Sequence, residues 1–96
     1  MKMNDQAASA QRESLLEFPC RFPIKAMGRH NDEFKSAVEE IVLRHAAMWS
    51  GEEIQHTPSR EGNFLSVTAV IEASSQAQLD AIYQELTDCD LVIMAL

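Results

Sequence analysis

Gly62-Asn63-Phe64-Leu65-Ser66-Val67-Thr68-Ala69-Val70-Ile71-Glu72 is the stretch whose reading decides the fold. Leu65, Val67, Ala69 and Ile71 alternate with Ser66, Thr68 and Val70, the period of a strand with one face in a core. Gly62-Asn63 supplies the positive φ that tight hairpin turns require, so a partner strand should precede it. Ile54 to Ser59 fits that partner, and Pro58 marks it as an edge because proline cannot donate to a ladder.

Moving toward the start, Phe22, Ile24 and Ala26 alternate with Pro23, Lys25 and Met27 in a half-buried strand that runs from Phe18 to Met27. Pro19 and Pro23 cannot donate to a ladder, so both should sit where the missing N–H faces solvent or a bulge, and pairing there is expected to be interrupted. Gly28 to His30 reads as a turn. Asn31 then suits an N-cap, with Asp32 and Glu33 at the positive end of the helix dipole. The helix runs from Asp32 to His45. Phe34, Ala37, Val38, Ile41 and Val42 form its apolar stripe, Leu43 points the other way, and Arg44 and His45 sit at its negative end. Ala46 to Glu53, with Gly51, reads as a loop. Moving toward the end, Ser75 and Gln78 fit a capping box, and Leu79, Ile82, Tyr83 and Leu86 repeat at helical spacing, which predicts a helix over about Gln76 to Leu86. After Asp90, Leu91 to Leu96 is apolar on both faces and reads as a last strand. The order is βαββαβ, an α+β domain with a four-stranded antiparallel sheet.

The 96 residues, 46% hydrophobic and 24% charged, suit one small domain. A chain of this size buries roughly 60 to 65% of its unfolded surface, so self-association would add needed stability. The net charge of −7 argues against nucleic acid and anionic lipid, which need clustered Lys and Arg. No window approaches the roughly 20 apolar residues of a membrane span, and Met1 to Ser14 lacks the apolar stretch of a secretory signal, so a cytoplasmic location is expected. Those first residues, 1–14, contain little to bury and read as a flexible tail, leaving 15–96 as the domain.

Leu15-Leu16-Glu17-Phe18-Pro19, Phe22 with Lys25, Met27 and Gly28, Arg44-His45-Ala46, Gly62-Asn63-Phe64 with Ser66-Val67, Tyr83 to Leu86 and Asp90 to Leu96 stand in fixed order. In these stretches, covering about residues 15 to 96, the chain resembles the small bacterial family of unknown function typified by YbeD. The resemblance implies a ferredoxin-like fold, with both helices on one face of the sheet. It also implies likeness to the ACT-type regulatory modules that bind amino acids. Around Met48 to Glu53 the chain departs from the family, with a longer loop carrying Trp49.

Right-handed crossovers in such a fold place the first strand between the fourth and the third. Three loops then gather at one end of the sheet: Gly28 to Asn31, Arg60 to Asn63 and Thr87 to Asp90. The candidate ligand site is Gly28, Arg29, His30 and Asn31, where helix amides and a guanidinium would meet a carboxylate, with Asp88 and Asp90 to meet an amine. Ordinary solvated loop residues give the same pattern. A metal at His30, Cys89 and the nearby acids is not favoured, because no close ligand pair such as C-x₂-C exists. Cys20 and Cys89 should lie roughly 20 Å apart, too far for a disulfide, so both are expected as free thiols. No Ser-His-Asp set, G-x-S-x-G elbow or Walker loop is present, and no cofactor is implied. Val92, Met94 and Leu96 form an apolar row on an edge strand, expected to face away from the helices and to be covered either by a second subunit or by the N-terminal tail folding over it, with the homodimer favoured. The expected function is non-enzymatic: a regulatory or interaction domain that senses a small polar metabolite or docks on a metabolic protein, with a structural dimerisation module as the alternative.

Overall fold

The alternation and helical periods resolve into six elements in a computed structural model, which describes residues 16–96: β1 (Cys20–Arg29), α1 (Asp32–His45), β2 (Gln55–Pro58), β3 (Phe64–Ala73), α2 (Gln76–Asp88) and β4 (Val92–Ala95). The tail assigned to residues 1–14 lies outside the described residues. The sheet is antiparallel, in the order β2-β3-β1-β4. Ile24 and Ala26 of β1 and Leu65, Val67, Ala69 and Ile71 of β3 form its inner face. They share one core with Phe34, Val38, Ile41 and Val42 of α1 and Leu79, Ile82 and Leu86 of α2. The two helices therefore cover one face, as in a ferredoxin-like domain. Each fully buried aliphatic or aromatic side chain stabilises the fold by about 1.5 to 3 kcal/mol, which makes this cluster the main source of stability.

Several boundaries differ from the sequence reading, each for a physical reason. β1 does not end in a turn at Gly28: Gly28 and Arg29 continue the strand, paired with Leu65 and Phe64. Pro23 does not interrupt the ladder with β3, where it sits opposite Val70 in continuous register. Lys25 and Leu96 exchange both backbone hydrogen bonds, at 3.1 and 2.7 Å. Two residues earlier, Pro23 therefore turns its nitrogen to the same side of β1, where β4 does not reach and no donor is needed. The irregularity lies between β1 and β4, where Met27 pairs with Met94 but Gly28 with Val92, leaving Ile93 as an extra residue.

Asn31 caps α1 through its carboxamide oxygen, which accepts from the Phe34 amide at 2.8 Å. Ser75 caps α2 in the same way, accepting from Gln78 at 3.0 Å. The Gln78 oxygen accepts from Ser74 at 2.7 Å, and its amide nitrogen donates to the His45 carbonyl at 2.9 Å, so one side chain ties the start of α2 to the end of α1. α2 runs two residues beyond Leu86. The Ala46 to Glu53 segment is more than a loop: Trp49 donates to the Val70 carbonyl and Glu72 to the Ala47 carbonyl, both at 2.9 Å, continuing the edge of β3 past β2.

Candidate functional site

The three loops do meet at one end of the sheet. His30 donates its backbone N–H to Asn63 at 3.0 Å, and its Nδ1 lies 3.0 Å from the Gly62 carbonyl, where Gly62 adopts a φ of +82°. Their polar groups, however, serve the loops themselves. The Asn31 carboxamide is spent on the Phe34 amide. Asp32 and Glu33 occupy the first turn of α1, so two carboxylates stand where an incoming anion would have to approach. Gly28 is buried and packed: a Cβ there would lie 2.5 Å from the Leu91 carbonyl and 2.5 Å from the Phe34 ring. Its glycine admits Phe34 and the entry of β4, with no space left over for a ligand.

Arg29 belongs to the opposite face. It pairs with Phe64 across the strands, and its guanidinium carbon stands 5.3 Å from the Phe64 ring centroid, a cation–π contact on the side of the sheet away from the helices. Asp88 and Asp90 are exposed at the end of α2, and Asp88 accepts from Gln84 at 3.1 Å. Among the described residues, no group of three His, Cys, Asp or Glu side chains is placed to hold a metal ion. Cys20 and Cys89 are free thiols.

The other histidines join elements. His56 Nε2 lies 2.7 Å from Glu39, linking β2 to α1. His45 Nε2 lies 2.6 Å from Glu85, which Arg44 also reaches, so α1 and α2 are bridged at one carboxylate. The hydrogen bond from His45, helped by Arg44, holds the Glu85 carboxyl below its ordinary value of 4.5 although partial burial opposes this. Burial pushes the Tyr83 phenol up, and its hydroxyl donates to the Leu96 carbonyl at 2.8 Å.

Among the described residues, the β4 edge and the end of the outer sheet face around Met27, Phe64 and Met94 carry no covering element, whereas Val70 further along β3 is buried. Because Ile93 is an extra residue, the simple alternation along β4 fails: Val92 and Ala95 pack against the core, while Ile93, Met94 and Leu96 are 61%, 47% and 61% exposed. Val92 is thus corrected from the outward row to the inward one, and Ile93 takes its place outside. The Lys25–Leu96 pair is hydrogen-bonded, so the intervening Ala95 directs its N–H and C=O out of the sheet at the open edge. Met27, Lys25 and Arg29 continue the outer surface across β1, and Phe64, Ser66 and Thr68 continue it across β3. Sequence reasoning missed Ile93, Met27, Lys25 and Phe64 as members of one surface. The alternation of β1 contained the signal, but it was used only to find the inner face.

A family profile described as a protein of unknown function, DUF493, matches residues 13–96. The chain belongs to this family. Relatives confirm the assignment over nearly the whole length. A UPF0250 protein of Leptothrix cholodnii is 40% identical over 86 residues, covering 90% of this chain and 94% of the relative. A UPF0250 protein of Nitrosomonas europaea is 43% identical over 84 residues, covering 88% and 97%. These are the YbeD-like proteins that the sequence motifs resemble. The solution structure of protein HP0495 from H. pylori superposes with a TM-score of 0.68 at 18% identity, over 84% of this chain and 85% of that one, and so shares the fold of this DUF493 domain.

Proposed function

We propose that this DUF493 domain is a non-enzymatic interaction module, of the regulatory ACT-like kind, that works by docking through the β4 edge and the outer sheet face. In this reading β4 pairs antiparallel with β4 of a second copy, joining two sheets into one. The observation that carries the proposal is the row of Ile93, Met94 and Leu96 beside the backbone of Ala95, which is unpaired among the described residues. An uncharged edge strand without proline invites pairing. The opposite edge differs, since Pro58 blunts β2 and His56 is held by Glu39. A two-fold axis places like residues together, which an uncharged strand tolerates and a charged one does not. Sensing of a small polar metabolite at Gly28 to Asn31 is supported less, because the caps and acids of that loop already serve α1. A cytoplasmic setting belongs to the same proposal and accords with two free cysteines.

Sedimentation of the parent and of Ala95→Pro tests the pairing. Proline at an outward-directed edge position removes no internal ladder bond. The expected result is a dimer for the parent and a folded monomer for Ala95→Pro. A parent that stays monomeric at high micromolar concentration contradicts the pairing.

A further inference from the structure

We infer that the outer sheet face binds an acidic amphipathic helix of a partner protein, with Lys25 and Arg29 meeting its carboxylates and Met27, Phe64 and Met94 meeting its apolar side. The inference rests on reading the open face as a docking surface, and it does not require β4 to pair with a second copy. The chain has a net charge of −7, yet the end of its outer sheet face around Lys25 and Arg29 is basic. The outer row of β1 carries Arg21, Lys25 and Arg29. Arg21 is engaged by Glu52 at 2.7 Å. Among the described residues Lys25 enters no ion pair, and Arg29 is occupied only by the Phe64 ring, which leaves its N–H edges free. Beside Lys25 and Arg29 the outer rows read Phe64, Ser66 and Thr68 on β3 and Met94 and Leu96 on β4, and the acids of this face, Glu72 and Glu52, stand at its far end beside Arg21. Exposed acids on the helices include Glu33, Glu40, Asp80 and Asp88. A basic and apolar surface on an acidic protein selects acidic and apolar partners and repels basic ones.

Dimensions favour a helix. The strands β3, β1 and β4 span roughly 10 Å at about 4.8 Å per spacing, close to the 10–12 Å width of an α-helix. Lys25 and Arg29 are separated by four residues of strand, about 13 Å, which a helix covers in roughly nine residues. An acidic residue near each end of such a stretch, with apolar residues at i, i+3, i+4 and i+7 between, meets both cations. Nucleic acid is a poorer occupant, because two unpaired cations neutralise few phosphates and Phe64 alone offers little stacking surface.

The test titrates four probes into the isotope-labelled full chain and follows backbone resonances: an amphipathic peptide of about five helical turns with leucine on one face and glutamate on the other, its lysine-for-glutamate counterpart, polyglutamate and an oligouridylate. The leucine–glutamate peptide is expected to give saturable shifts confined to Lys25, Met27, Arg29, Phe64, Ser66 and Met94. The double variant Lys25→Glu/Arg29→Glu, exposed at both positions and so expected to keep a dispersed spectrum, should bind it roughly tenfold more weakly or less. The other probes should bind no better than that variant does. Absence of saturable shifts at millimolar peptide, shifts centred on the helices or the Gly28 to Asn31 loop, equal binding of the lysine peptide, or equal binding of the oligouridylate each overturns the assignment. Peptide bound on the outer face of a chain that sediments as a monomer would remove the β4 pairing and leave this assignment standing. A dimer that ignores the peptide would do the reverse.

Discussion

Gly28 shows how one residue can be singled out rightly for the wrong reason. In a sequence, a glycine ahead of an N-cap looks the same whether it bends the chain or makes room for a neighbour. Here it makes room, since its missing side chain is replaced by the Phe34 ring and the Leu91 carbonyl. Gly28→Ala should therefore destabilise the fold by about 1 to 3 kcal/mol, the usual cost of overpacking, read as a lower urea midpoint with an unchanged slope. An unchanged midpoint would show that the ring can move aside. Tyr83 gives a second test at this scale. Its phenol is raised in the folded state, so the folded chain holds that proton more tightly than the unfolded chain. Its contribution is complete below the unfolded value of about 10 and is lost as pH rises through the folded one. Tyr83→Phe should remove the alkaline decline and, with the bond to Leu96, cost about 1 kcal/mol at neutral pH. Denaturant midpoints measured from neutral to alkaline pH check both parts.

The elements were largely legible because each long one obeys a single period. β3 pairs on both sides and buries one whole row, so its alternation survives intact. Asn31 and Ser75 mark helix starts by chemistry that acts within three residues. β4 was harder, because a bulge is set by how two strands meet and leaves no mark in an apolar run such as Leu91 to Leu96. The contact between the helices was also hidden, since Gln78 with His45 and Glu85 with His45 span 33 and 40 residues. Glu85 makes that contact sensitive to acid. Its folded value is depressed, so its contribution is complete above the unfolded value near 4.5 and is lost as pH falls through the folded one. Glu85→Gln should flatten the acid limb of the stability curve below about pH 4.5, seen in thermal midpoints against pH. An acid limb identical to the parent's would mean the bridge contributes nothing to stability.

At the scale of the molecule, the fold followed from the order of periods, but the surface did not. Fold-defining residues announce themselves by burial on one row, whereas Lys25, Arg29, Phe64 and Met94 become neighbours only once β3, β1 and β4 lie side by side. The loop end drew notice first because caps and charges are conspicuous in a sequence, yet Asn31 and His30 are spent on backbone groups in the folded chain and Arg29 lies over Phe64 on the outer face. Among the described residues, the sheet instead leaves the β4 edge and the end of its outer face around Met27, Phe64 and Met94 uncovered. Amide exchange at Ala95, followed over a range of protein concentrations, tests the pairing of that edge most directly, because this N–H points outward and has no partner among the described residues. Pairing through β4 predicts protection at Ala95 that grows with concentration and falls away on dilution. Exchange at the rate of an open edge amide at every concentration would contradict it.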